Sequence, residues 1–475
     1  MDIYQLNLAG LIGLCGVLFL AQRKSTTPAT KDSKTKKDAK AEGAEGDGPS
    51  QWAFLVVFSL VMGSDWLQGP FLYSLYRDEH GVSAGLVSTL YTTGFLSGAA
   101  GGYVAGTLAD RHGRRRACLL FCGVYAASCL LTASPSALAS PPVLFAGRVL
   151  GGIGTSLLFS VFESWMVTDF AERGLAAKGG DLSRTFGLMS TLNSVVAIVS
   201  GVFSEWLVAA TGTRRSPFYA AVVLLGVAAW VIVTRFDENY GQSANKAKTE
   251  AADKNKPQTI VDNTTKLSWI LSDPKVLALG LASTMFEGSM YLFVFFWSPA
   301  LNAARDADPA GTGTSGSGSG LPYGVIFAAF MATTLAASLA FNMVMERGLV
   351  RYSVLMIGIL AAADLCFASL SGGGGMASSR SEQTTFWLFC AFEACVGVYW
   401  PCMGYLKGRL IEDGARARVY SVLRVPLNLF VVASLHLTRD GGPGAHAAVF
   451  GVCAKLLLAS CAGLWAMVMN ENDLP

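Results

Sequence analysis

The stretch Gly106-Thr-Leu-Ala-Asp110-Arg-His-Gly113-Arg114-Arg115-Arg116 is a short, strongly basic bend between two long apolar runs. Residues 84–105 and 117–133 on either side are mostly small, aliphatic and aromatic. A link this short makes the flanking segments antiparallel neighbours. Four arginines within six residues are too costly to bury in lipid, so they hold the bend to one face, normally the cytoplasmic one. Gly106 and Gly113 permit close helix approach and a tight turn, while Asp110 is suited to capping a helix start and pairing with an arginine. A basic loop between any two membrane spans would share these traits, and the rest of the chain decides between them.

Outward from the bend, the 475 residues are 52% hydrophobic and only 15% charged, with a mean hydropathy of +0.44. A soluble chain of this size would carry about a quarter charged residues. The apolar residues gather into runs of about twenty, the length of a spanning helix. The chain therefore reads as an all-α polytopic membrane protein. Its ten cysteines all lie inside apolar runs without paired spacing or histidine partners, so neither a zinc site nor a disulfide framework is expected.

Residues 3–21 form an apolar run with no basic residue before it, which predicts an uncleaved anchor helix (residues 1–22) rather than a signal peptide. Residues 23–50 are polar and Lys-rich, predicting a disordered basic linker. Twelve further spans are predicted over 51–76, 84–108, 115–133, 142–168, 186–209, 216–234, 275–300, 323–345, 351–371, 385–408, 418–437 and 446–469. They divide into halves at 51–235 and 275–475, joined by a polar loop at 236–274. The Gly/Ser-rich loop 301–321 and the loop 371–384 are expected to be flexible and to bind nothing. With the linker and even-to-odd loops placed on one side, that side holds 27 Lys and Arg and the other holds 6. So lopsided a split predicts a cytoplasmic carboxy terminus and an amino terminus outside.

Ionisable groups inside spans are costly and are candidates for function. Asp65 in the first of the twelve spans and Glu287 in the seventh both fall near or somewhat beyond mid-membrane. Arg148 in the fourth and Glu393 in the tenth lie close to the outer ends of their spans, and Arg424 enters the eleventh. Arg148 and Glu393 are also open to a simpler reading, as a structural ion pair with each other. Lys455 reads as a snorkelling or interhelix lysine, and Glu163 as part of a cytoplasmic charge lock with the bend. Gln68, Asn193 and Asn428 are neutral groups at suitable depth to donate to a substrate. The run Gly151-Gly152-Ile-Gly154 reads as helix packing. Two intramembrane arginines with carboxylates nearby suit a small anion and a coupled proton, because a guanidinium is a permanent cation with a fork of donors.

The bend resembles the loop 2–3 motif of the major facilitator superfamily of transporters, and its place between the second and third of the twelve spans is where that motif stands. A closer likeness lies in Asp65-Trp-Leu-Gln68-Gly-Pro70-Phe-Leu-Tyr73, Gly147-Arg148-Val-Leu-Gly151-Gly152, Phe286-Glu287, Phe293-Val-Phe295-Phe-Trp297-Ser-Pro299 and Arg424-Val-Pro426-Leu427. With the extra amino-terminal helix, these resemble the molybdate-anion transporter family within that superfamily. The likeness runs from the anchor to the last span and departs from it at the linker and at loop 301–321.

The resemblance implies the major facilitator fold, two six-helix halves plus the extra helix, and alternating access to a site between the halves. It implies uptake of molybdate or a related oxyanion, with Arg148, Arg424, Gln68 and Asn193 as expected ligands. Asp65, Glu287, Glu393 and Glu163 are the expected proton-coupling or gating groups; Gly106, Asp110, Gly113, Arg114 and Arg115 form the conformational motif. Another small solute on the same fold, or a sensor that binds without transport, remain as alternatives. No cofactor, metal or nucleic acid is expected and no enzymatic activity; no phosphate-cradling loop supports ATP drive. The expected state is a monomer in the bilayer of the cell membrane. The sequon Asn263-Thr264-Thr265 lies in the loop assigned to the cytoplasm, so expression in a glycosylating host is expected to leave Asn263 bare. Glycan on Asn263 by mass spectrometry would reverse the orientation.

Overall fold

Within a hydrocarbon layer every backbone donor and acceptor must find a partner in the chain, which leaves helices as the spanning form for such sequences. The computed structural model describes residues 2–25, 49–135, 140–174, 182–240, 274–307, 320–371, 381–410, 416–437 and 445–470. Most of the linker, most of the central loop, most of 301–321 and most of 371–384 lie outside these residues. The long helices are α1 (Ile3–Ser25), α2 (Pro49–Trp66), α3 (Ala84–His112), α4 (Arg114–Thr132), α5 (Pro141–Glu172), α6 (Leu182–Thr211) and α7 (Ser216–Arg235). They continue as α8 (Pro274–Asp306), α9 (Tyr323–Glu346), α10 (Tyr352–Leu370), α11 (Glu382–Leu410), α12 (Arg416–Leu437) and α13 (Ala445–Asn470). A helix thus stands at each predicted span. Among the described residues, eleven spans are long and apolar enough to cross a membrane, and Pro426–His436 of α12 is a shorter apolar run.

The first of the twelve spans is not one regular helix. It breaks after Trp66, passes through a 3₁₀ turn at Gly69–Phe71 and ends in a π turn at Leu75–Glu79. Pro70 supplies no N–H, and the Gln68 N–H turns to the Asp65 carbonyl at 3.3 Å instead of to Ser64. The abandoned Ser64 carbonyl accepts from the Gln68 side chain, Nε2 to O at 2.9 Å. One carbonyl freed at the break is thereby satisfied from within the span.

The helices form two compact units, one of residues 1–26, 84–89 and 259–475, the other of residues 27–83 and 90–258. In the second unit α4 packs on α5 and α7, and α2 on α6 and α7. Its buried aromatics include Phe54, Phe71, Phe121, Phe162, Trp165 and Phe218. The helices α3 and α5 touch backbone to backbone, because a Cβ on Gly152 would overlap the Gly94 carbonyl and the Gly98 nitrogen. In the first unit α8 packs on α11, α12 and α13, α10 on α11 and α13, and α9 on α11.

Helix α1 belongs to this first unit. It packs on α9, hydrogen-bonds Glu382 through the Tyr4 hydroxyl, and joins Asn7 Nδ2 to Gln383 Oε1 at 3.2 Å. The expected anchor helix thus also docks on the carboxy-terminal helices, through polar groups at its first turns and Cys15 Sγ on the Ala332 carbonyl.

Gly152→Ala is expected to destabilise the fold by about 1–3 kcal/mol through overpacking, seen as a lower unfolding temperature in detergent. Gly123→Ala, with nothing within 4 Å of the added atom, is the matched control and should leave it unchanged.

Candidate functional site

Arg148, in the first turns of α5, packs against Tyr91 and Gly94 of α3. Its guanidinium lies over the Tyr91 ring, 5.2 Å from the centroid, a favourable cation–π placement. Gly94 of α3 makes the room, since a Cβ there would collide with the guanidinium. The field of Arg148 also reaches Asp65, Tyr76 and Tyr125. Asp65 accepts a hydrogen bond from the Tyr125 hydroxyl, and Gly154 leaves the space that the Tyr125 ring fills. Neither Arg148 Nε nor the Tyr76 hydroxyl, both buried, makes a well-formed hydrogen bond among the described residues. A buried donor left open beside a fixed cation is a place for an acceptor to bind.

Two neutral groups predicted as ligands are partly occupied. Gln68 uses its amide on the Ser64 carbonyl, so part of its work is to repair the broken span. Asn193 accepts from Trp66 Nε1 at 2.8 Å, which orients its amide and leaves its NH₂ as the donating end. Arg424 stands on the backbone of α12, and its side chain is outside the described residues. The same holds for Gly106 in α3.

The other unit holds its own charge cluster. Glu287 Oε1 of α8 accepts from Ser283 Oγ at 2.7 Å and the Tyr399 hydroxyl at 2.8 Å, and pairs with Lys407 Nζ at 3.3 Å. Lys407 also donates to Ser283 Oγ at 2.7 Å. Lys407 falls at the end of the predicted span 385–408 and stands near the end of α11, where its ammonium meets Glu287. Glu393, 5% exposed, accepts from Thr334 Oγ1 of α9 at 3.0 Å, a neutral partner.

At the bend, Gly113 has φ +104°, open to glycine and strained for other residues, and a Cβ there would strike Glu238. The Glu238 carboxylate caps α4 by accepting from Arg115 N–H at 2.8 Å and lies 3.7 Å from Arg116. Arg114 pairs with Asp110 at 2.8 Å and donates to the Ser164 carbonyl at 2.9 Å and to Thr168. The five residues after α7 fold back here. Phe236 stacks on Trp165 at 3.8 Å, Trp165 Nε1 donates to the Asp237 carbonyl at 2.9 Å, and Arg114 N–H donates to the Asn239 carbonyl at 3.0 Å. Arg173 closes α5 by pairing with Asp169 at 2.8 Å and Asp237 at 2.7 Å, and its bond to Asp169 raises its already high pKa.

The lock reading of Glu163 needs correction. Glu163 lies about 100° round α5 from Ser164 and about 120° from Asp169, so its side chain is exposed while those residues meet the arginines.

Comparison with known proteins decides the family. A family model described as sugar transporters with 12 TM matches residues 3–372. The molybdate-anion transporter of Xenopus tropicalis is 32% identical over 479 residues, covering 98% of this chain and 95% of that protein. The chain belongs to the molybdate-anion transporter family of the major facilitator superfamily. The molybdate-anion transporter of Danio rerio is 30% identical over 446 residues, covering 87% of this chain and 84% of that one. A solved peptide transporter in complex with sulfate superposes with a TM-score of 0.66 at 15% identity, covering 89% of this chain and 94% of that one; at that identity the likeness speaks for the fold alone. As a member of the molybdate-anion transporter family, the chain is a multi-pass membrane transporter and not an enzyme.

In this family member the structure brings Asp65 and Arg148 into one cluster and keeps Glu287 in another. Sequence reading missed Tyr125, Lys407 and Asp237-Glu238-Asn239. Only Lys407 left a signal, being a lysine three residues from a helix end with a glutamate in a neighbouring helix to find. Glu238→Ala is expected to lower stability by about 0.5–2 kcal/mol, the worth of a helix cap. Thermal unfolding should show the loss in Glu238→Ala and none in Glu163→Ala.

Proposed function

We propose that the chain is a secondary active transporter that takes up molybdate, or a related tetrahedral oxyanion, by alternating access. The observation that carries this reading is Arg148: a half-buried arginine, its guanidinium held by Tyr91 and seated against Gly94, with its buried Nε lacking a well-formed hydrogen bond. Asp65 is engaged by Tyr125, so the arginine retains donors for an incoming dianion. The names of the relatives supply the substrate class.

In this reading Arg148 is the principal anion ligand, assisted by Asn193 and Gln68 and by Arg424 as a second cation. The carboxylates Asp65, Glu287 and Glu393 serve coupling or gating, and Glu163 remains only a peripheral candidate. Asp110, Gly113, Arg114 and Arg115, with Gly106 at the same helix end, stiffen the inner end of the first half during the cycle. The halves 51–235 and 275–475 are the moving parts, joined by 236–274. The asymmetry of Lys and Arg supports a cytoplasmic carboxy terminus, an outside amino terminus and residence in the cell membrane.

The description of the family model favours a second reading, a sugar. A neutral sugar would use the amides and tyrosines and leave Arg148 without a ligand.

Uptake of labelled molybdate at matched surface expression separates the two. Lysine keeps the charge of Arg148 but not its planar fork. Losing one charge-assisted hydrogen bond weakens binding by about 1.5–3 kcal/mol, roughly ten- to hundredfold. Arg148→Lys is therefore expected to raise the KM by that factor, with sulfate competing in the unaltered protein and glucose not. Unchanged molybdate uptake in Arg148→Lys would remove the arginine from the site, and competition by glucose but not sulfate would select the sugar.

A further inference from the structure

Two charged side chains stand on spans where neither site needs them. Asp364 is twelve residues into α10, about 18 Å along the helix, and Lys455 is ten residues into α13, about 15 Å along it. Both helices are apolar enough to span a membrane. Lys455 is exposed and Asp364 half-exposed, and neither makes a hydrogen bond or ion pair among the described residues. Large exposed apolar side chains share these helices: Leu365 on α10, and Val452, Leu458 and Trp465 on α13. This is a lipid-type surface with one acid and one base in it.

The two charges share a depth. The antiparallel pair α10 and α13 touches at Cys461 Sγ on the Ile357 carbonyl, 3.7 Å, and at Gly451 beside Ser371. Asp364 is midway between Ile357 and Ser371. The midpoint of Gly451 and Cys461 is residue 456, next to Lys455. Asp364 lies within electrostatic reach of Cys461 on α13. Lys455 lies about 15 Å from the start of α13 and about 22 Å from its end.

An ionised group facing hydrocarbon is strongly unfavourable and calls for a partner of opposite sign. A patch with one acid and one base at equal depth is its own complement. Rotation by half a turn about an axis along the membrane normal keeps each residue at its depth and brings acid opposite base twice, as an isologous interface requires. We propose that this protein self-associates in the bilayer as a two-fold dimer through α10 and α13, Asp364 of each copy pairing with Lys455 of the other. The occupant is a second copy of this chain because the patch supplies both signs in the arrangement that a copy would need. A bitopic partner with a single charge would leave one of the two unpaired.

The test uses the full chain carrying two different tags, reconstituted at low density in lipid vesicles, with association read by single-molecule photobleaching and by co-purification. Asp364→Lys alone and Lys455→Asp alone each place like charges together twice and are expected to weaken association about tenfold or more. Co-expressed, the two variants can pair only with one another, acid against base, and association is expected to return in the mixed pair alone. That recovery also separates pairing between copies from an ion pair between α10 and α13 of one copy, which the mixed pair could not restore. If the reversals do not reach the membrane, Asp364→Asn and Lys455→Gln replace them, and each is expected to weaken association. Single copies of the unaltered protein at every density, unchanged association in the variants, or failure of the mixed pair to recover would each overturn the dimer.

Discussion

The constraint on which everything else depends is that no backbone polar group in the hydrocarbon layer has water to fall back on. Regular helices meet it for most of the chain. Where the chain departs from regularity, a side chain or a neighbouring segment completes the bonding. Just before Gly69-Pro70 the Gln68 amide takes over the Ser64 carbonyl that its own backbone N–H leaves. At Gly113 the Glu238 carboxylate caps the start of α4. Both irregular points carry the residues from which function is argued, which follows from the need for a chain that bends, or presents a polar group, in a place where bending is costly.

The same constraint governs the charges. Each six-helix half places a carboxylate on its first helix and a cation on its fourth: Asp65 with Arg148 in the field around it, and Glu287 in contact with Lys407. Each carboxylate is also held by a tyrosine hydroxyl. The details differ in a way that bears on function. Glu287 has its cation within 3.3 Å and a serine bridging the two, a closed arrangement. Arg148 has an aromatic face and no well-formed bond at Nε, an open one. A cation with its charge in reserve is suited to binding, and a cation already neutralised is suited to holding structure or to release on a change of partner.

At the basic bend the arginines are bound on several sides rather than left as a band of positive charge. Asp110, Glu238 and the carbonyls of Ser164 and Asn239 receive Arg114, Arg115 and their backbone N–H groups. The first residues after α7 thereby tie α4, α5 and α7 together at one end of the second unit. Exposed ion pairs contribute little singly; here the Trp165–Phe236 stack excludes water from part of the network and the backbone bonds give it a fixed shape.

The sequence by itself determined the class of fold, the number and order of the spans, and the family, because those depend on composition, on runs of fixed length and on motifs that are contiguous in the chain. It also determined which ionisable residues lie at depth, since helix rise turns residue number into distance. What only the tertiary structure decided was who faces whom. The depth of Asp65 follows from its position in the span, but its bond to Tyr125 depends on the rotation of α2 against α4 and on the missing side chain at Gly154. Glu163 and Asp169 are close in the chain and on different faces of α5, so one points outward and the other holds Arg173. Lys407 stands near the end of its predicted span, and only packing shows that its ammonium meets Glu287 and Ser283. Spacing along a chain sets depth along a helix axis, while the angle about that axis relative to a neighbour is set by packing, and packing is not local in sequence.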